Sequence, residues 1–131
     1  MIGERINFSD GRVRILRDYP NSMYFNSFDF AIMAGGYNSF HEAVLFNLPT
    51  ICYPNLQTGK DDQLSRAEIA QEAGCMIVVI NRNTASIADA INHLMNKETR
   101  EEMVRRASLL KKEDGAQFFS KWVINELKLE K

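Results

Sequence analysis

Two cysteines, two histidines and three prolines are all that the sequence holds of the residue types that announce a disulfide framework, a metal centre or a rigid linker. Cys52 and Cys75 each lie in or beside an apolar segment, which reads as buried free thiols in a reducing compartment rather than a disulfide. No Cys/His cluster has metal-ligand spacing, so no metal is expected. An excess of one charge is also lacking. Sixteen Lys and Arg against 17 Asp and Glu leave a net charge of −1 and a pI near 6.1, without the basic footprint of a general nucleic-acid binder. No apolar run is long enough to span a bilayer. Met1–Asp10 carries Glu4 and Arg5 but no apolar core, unlike a secretory signal, so a cytoplasmic location is expected. Internal repeats, low-complexity tracts and Pro/Gly-rich linkers are absent.

What remains is ordinary globular material, 45% hydrophobic and 25% charged, and 131 residues suit one domain over 1–131. Four short apolar runs read as strands: Val13–Leu16, Asp29–Met33, Thr50–Tyr53 and Met76–Ile80. Continuous apolar strands are typical of a parallel sheet covered on both faces. Helical spacing fills the gaps. Ser39–Phe46 places Phe40, Ala43 and Val44 on one face; Asp62–Ala73 does the same with Leu64, Ala67 and Ala70. Thr84–Asn96 carries Ile87, Ile91, Leu94 and Met95 in register. Thr99–Glu102 has the pattern of a capping box opening a further helix. Gly115–Leu129 forms a last helix, with Phe118, Phe119, Trp122 and Ile124 available to pack on the body. Alternating strands and helices imply an α/β, Rossmann-like parallel sheet flanked by helices. Such folds bind ligands beyond the carboxyl ends of strands, which directs attention to the segments after Met33 and Tyr53.

The first segment runs Ala34-Gly35-Gly36-Tyr37-Asn38-Ser39-Phe40-His41-Glu42. Paired glycines allow a sharp turn and close approach of a ligand to backbone. A helix opening at Asn38 or Ser39 would present unpaired N–H groups to a phosphate. Glu42, one turn in, could accept hydrogen bonds from a sugar diol. The same residues also read as an S-x-x-E capping box, in which Ser39 and Glu42 only cap. The second segment, Pro54 to Gln63, is polar and ends in an acid–amide pair at a helix start. There Asp62 could be an N-cap and Gln63 a solvated first-turn residue. Both segments follow strand C-termini and would share one edge of the sheet. A carboxylate and an amide there could grip sugar hydroxyls while the other loop holds phosphate and ribose.

From Asp29 to Gly74 the chain resembles the donor-binding signature of GT-B glycosyltransferases, nearest to the family 28 type and similar to the box of UDP-dependent glycosyltransferases. Carrying the resemblance are Gly36-Tyr37-Asn38-Ser39, Glu42-Ala43, Leu48-Pro49, Pro54, Asp62-Gln63, Ala67 and Gly74. Order and spacing match over roughly one third of the chain, which is far more specific than a lone glycine motif. The resemblance implies the C-terminal portion of a GT-B donor-binding domain that moves a hexosyl group from a UDP-sugar to an acceptor hydroxyl. It implies that Gly35, Gly36, Asn38 and Ser39 meet the diphosphate, Glu42 the ribose, and Asp62 and Gln63 the transferred sugar. It further implies no cofactor beyond the UDP-sugar substrate, and a catalytic base in a separate acceptor domain.

Three departures stand out. Ala34 replaces a frequent phosphate-binding histidine, and Arg66 replaces a common asparagine; Arg66 could contact a phosphate or a carboxylated sugar, but the preferred reading is a solvated helix residue. The chain is also short for a complete donor domain, so a fragment or one subunit of a split enzyme is expected, inactive alone. Its partner would be an acceptor-binding domain or subunit, which could bring it to the inner face of the membrane. Rival readings are a nucleotide-sugar-binding or docking module, and a related sugar-nucleotide epimerase or hydrolase. His41 could touch donor or acceptor, but a surface or packing role is the preferred reading, and His93 reads as structural. Tyr37 could stack on a ligand or pack beside the turn, the Phe118, Phe119 and Trp122 cluster reads as core or docking surface, and Lys111–Asp114 as a solvated helix end.

Overall fold

The computed structural model describes residues 12–17, 20–57, 61–110 and 115–129. A 3-10 segment, Asn21–Ser27, leads into strand β1 (Ala31–Met33). Helix α1 (Tyr37–Leu45), β2 (Thr50–Cys52), α2 (Gln63–Glu72) and β3 (Met76–Val78) follow. Three helices close the chain: α3 (Thr84–Met95), α4 (Lys97–Leu109) and α5 (Gly115–Leu129). The strands pair in parallel in the order β1-β2-β3, with Met33 opposite Cys52 and Cys52 opposite Val78. Backbone bonds from Tyr53 N to Met33 O (2.8 Å) and from Val79 N to Cys52 O (2.9 Å) extend both ladders by a step. The expected α/β architecture is therefore present, with three of the four expected strands in shorter form.

Alternation along β2 divides the interior. Cys52 faces a cluster with Phe40, Ala43, Ala67, Ala70 and Met76, so α1 and α2 cover one face of the sheet. Ile51 points the other way, to Val79 just after β3 and to Ala90, Leu94 and Met103 on α3 and α4. Ile51 and Leu94 are fully buried. Each contributes about 1.5–3 kcal/mol through removal of its side chain from water. Alanines at 43, 67 and 70 let α1 and α2 lie close on the strands, and the shared face follows from two crossovers of the same hand.

Several sequence expectations change. Val13–Leu16 forms no strand; it is exposed and has no ladder partner, and an apolar tetrapeptide without a neighbour cannot satisfy its backbone as a strand. Helix α1 opens at Tyr37, two residues before Ser39, with Gly36 as its N-cap and no side-chain cap bond. The Ser39/Glu42 capping box is thus not formed. Helix α4 also starts earlier than its expected box: Asn96 Oδ1 accepts from the amides of Glu98 and Thr99, so Asn96 caps it and Thr99 does not. Met95 is exposed rather than part of the α3 face. On α5, Phe119, Trp122 and Ile124 are 62%, 52% and 50% exposed, so they do not pack on the body, although Phe119 and Trp122 stack on each other. The side chain of Phe118 and the run Lys111–Asp114 lie outside the described residues. Both cysteines are buried and free, as expected. No helix among the described residues is long and apolar enough to cross a membrane.

Candidate functional site

Met33 and Cys52 are register partners, so the chain leaves β1 and β2 side by side at one edge of the sheet. Both sequence-predicted loops start there. Gly35 turns the first at φ +81, a conformation that L side chains rarely adopt, and a Cβ on it would meet Cys52 Sγ at 2.6 Å. Glycine is required at that position by backbone and by packing alike. Gly36 differs: its φ is −55 and a Cβ there would meet nothing within 4 Å. The helix begins at once, with Phe40 N donating to Gly36 O at 2.9 Å.

The start of α1 contrasts with its neighbours. Asp62, Asn83 and Asn96 each place a side-chain oxygen on the first-turn amides of α2, α3 and α4. At α1 a glycine stands instead, and no side chain caps the turn. First-turn N–H groups and the positive end of the helix dipole therefore face the edge of the sheet where ligands bind in such folds. Asn38, Ser39 and Glu42 line a groove of about 610 Å³ between α1, β1 and the 3-10 segment, where they meet Arg14, Tyr24 and Ile32. The groove gathers an amide, a hydroxyl, a carboxylate and a guanidinium around an apolar floor. These groups can bind a ligand that carries both anionic oxygens and a diol.

The second loop is built differently. Asp62 caps α2, its Oδ1 accepting from Ser65 N at 3.0 Å and its Oδ2 from Ser65 Oγ at 2.8 Å; these bonds hold its carboxyl below the usual range. Gln63 is buried, contrary to the solvated alternative. Its Oε1 accepts from Asn55 N at 3.0 Å and its Nε2 donates to Asp61 Oδ2 at 3.2 Å, so the amide staples the loop that leaves β2. Asp62 stays exposed, and neither it nor Gln63 lines the groove of Asn38, Ser39 and Glu42.

Arg66 joins the two loops, which corrects its reading as a solvated residue. Its side chain is 20% exposed. It donates from Nη1 to the Gly35 carbonyl at 2.8 Å and from Nη2 to the Asp61 carboxylate. That second bond is the main cause that holds the Asp61 carboxyl below its ordinary range. Burial pushes the Cys52 thiol up, against a smaller opposing pull from Arg66. Tyr37 is 63% exposed and lies edge-on to His41 at 4.3 Å. His93 is exposed in the last turn of α3. Sequence reasoning missed Arg14, which falls in a segment read as a strand, and the tether made by Arg66. No local signal marks either one.

The family model of the glycosyltransferase family 28 C-terminal domain matches residues 17–119. The matched stretch contains both loops and every residue named for the site except Arg14. No curated protein matches the chain.

Proposed function

The chain belongs to the family of glycosyltransferase family 28 C-terminal domains, and from that we propose that it is the donor-binding part of an enzyme moving a hexosyl group from a UDP-sugar to an acceptor hydroxyl. A glycosyltransferase donor-binding role follows from the family. The nucleotide and the transferred group are our reading. The observation that carries it is the uncapped start of α1 on Gly36, opening into the groove of Asn38, Ser39 and Glu42. A diphosphate at the first-turn amides would have its charge balanced by the helix dipole, which stabilises the leaving nucleotide as the glycosidic bond breaks. Glu42, one turn further in, suits the ribose hydroxyls. Asp62 retains carboxylate lone pairs beyond those used by Ser65, so it can still accept from a sugar hydroxyl. Gln63 would act by shaping the loop, or would exchange its bond to Asp61 for the sugar.

The groups gathered at this edge bind and orient a donor. The base that takes the acceptor proton belongs, in this reading, to an acceptor-binding domain or subunit, and any approach to a membrane would come through that partner. Isothermal titration of the purified chain with UDP, UDP-GlcNAc and GDP tests the proposal, with Glu42→Ala as control. Saturable binding of the uridine ligands that weakens in the variant is the expected result. Equal affinity for GDP would remove the uridine assignment, and unchanged affinity in Glu42→Ala would remove the ribose role.

A further inference from the structure

Arg66 sits in the second turn of α2, and its contacts reach 31 residues back along the chain to the glycine turn. Nη1 donates to the Gly35 carbonyl at 2.8 Å. The guanidinium carbon lies 5.4 Å from the centre of the Tyr37 ring and 5.7 Å from that of Phe40. Behind it Asp61 accepts from both Nη2 and Gln63 Nε2, and Gln63 in turn holds the amide of Asn55. An aromatic pair and a carboxylate thus fix the fork from two sides while one arm reaches the turn.

That arm touches a sensitive place. The Gly35 carbonyl and the Gly36 N–H belong to one planar trans peptide and point in opposite directions. Flanked by two glycines, this peptide plane can rotate without Cβ resistance. Holding the carbonyl therefore decides where the Gly36 N–H is aimed, just before the uncapped turn of α1. We infer that Arg66 is the positioning residue of the donor site, locking the Gly35–Gly36 peptide in its binding orientation and coupling it to the loop after β2. The inference rests on the donor-binding reading above and adds to it the residue that orients the site without itself meeting the donor. Lysine cannot replace the fork, because a single ammonium on a flexible stem reaches one partner and not both in fixed geometry.

The test combines UDP titration, thermal unfolding and the backbone amide resonance of Gly36 for wild type, Arg66→Lys, Arg66→Met and Asp61→Asn. Loss of one charge-assisted bond predicts UDP affinity weakened about tenfold or more in Arg66→Met and less in Arg66→Lys. The Gly36 amide should shift or broaden in both. It should also move in Asp61→Asn, which removes the carboxylate charge that braces Arg66. A merely structural Arg66 would lower the unfolding temperature and leave affinity per folded molecule and the Gly36 amide unchanged, and that result overturns the inference. Should wild type bind no UDP, the donor reading fails, and the Gly36 resonance alone then decides the coupling. If Arg66→Met does not fold, Asp61→Asn and Arg66→Lys still decide it.

Discussion

Replacing Gly35 by alanine isolates the geometry on which the first loop depends. At φ +81 an L-residue costs about 1–2 kcal/mol relative to glycine. The new methyl would also lie 2.6 Å from Cys52 Sγ, and Cys52 is fully buried on β2 with no room to retreat. Overpacking of this kind costs about 1–3 kcal/mol. Together the two effects give about 2–5 kcal/mol, a large share of the roughly 5–15 kcal/mol that holds a domain folded. Urea unfolding of wild type, Gly35→Ala, Cys52→Ala and the double variant completes a cycle. Cys52→Ala removes the sulfur that the methyl would strike. The double variant should therefore recover the clash and show a favourable coupling of about 1–3 kcal/mol, while the φ cost remains. Gly36→Ala is the internal contrast: with nothing within 4 Å of its Cβ, it should change stability by less than about 1 kcal/mol. Wild-type stability for Gly35→Ala, or a cycle that closes additively, would refute this account of the turn.

Two further expectations concern the body of the domain. Leu94 is fully buried between β2 and α4, so Leu94→Ala should cost about 2–5 kcal/mol by urea unfolding; a cost below 1 kcal/mol would mean that α3 is not packed as described. Arg105 and Arg106 bond Glu102 and hold its carboxyl at about 2, below the usual glutamate value near 4.3. Because the folded-state value is the lower one, the contribution is complete above the unfolded value and is lost as pH falls from about 4.3 towards 2. Glu102→Gln should flatten the pH dependence of the urea midpoint in that window, weakly in high salt since the group is exposed, and parallel profiles at low salt would count against the pairing.

Helix α2 was legible because Asp62 is followed by an apolar spacing, and Asp62 does cap it. The strands were legible as apolar runs bracketed by Pro49 and Pro54 or stopped by Gly35-Gly36, although sheet contact trims each to three residues. The two capping boxes misled for one reason. Ser39 and Thr99 fit the pattern, but a helix starts where the preceding chain permits it, and Gly36 and Asn96 permit it two or three residues earlier. The apolar stripe of α5 has a periodicity without a surface to meet, since Phe119, Trp122 and Ile124 remain exposed.

By itself, then, the sequence determined the α/β class, the strand ends at which the loops lie and the group of polar residues on them. These follow from local facts: runs of apolar residues, glycine pairs and helical spacing all act over a few neighbours. Only the tertiary structure decided that Ser39 is not a cap, that Gln63 staples a loop, that Arg14 shares a groove with Glu42, and that Arg66 holds the Gly35 carbonyl. The last of these depends on which surfaces a parallel β-α-β crossover brings within about 3 Å, the reach of a hydrogen bond, and the others on how the loops and the helix start settle around the sheet edge. That distance is set by packing across the sheet and is not encoded in the spacing of residues along the chain.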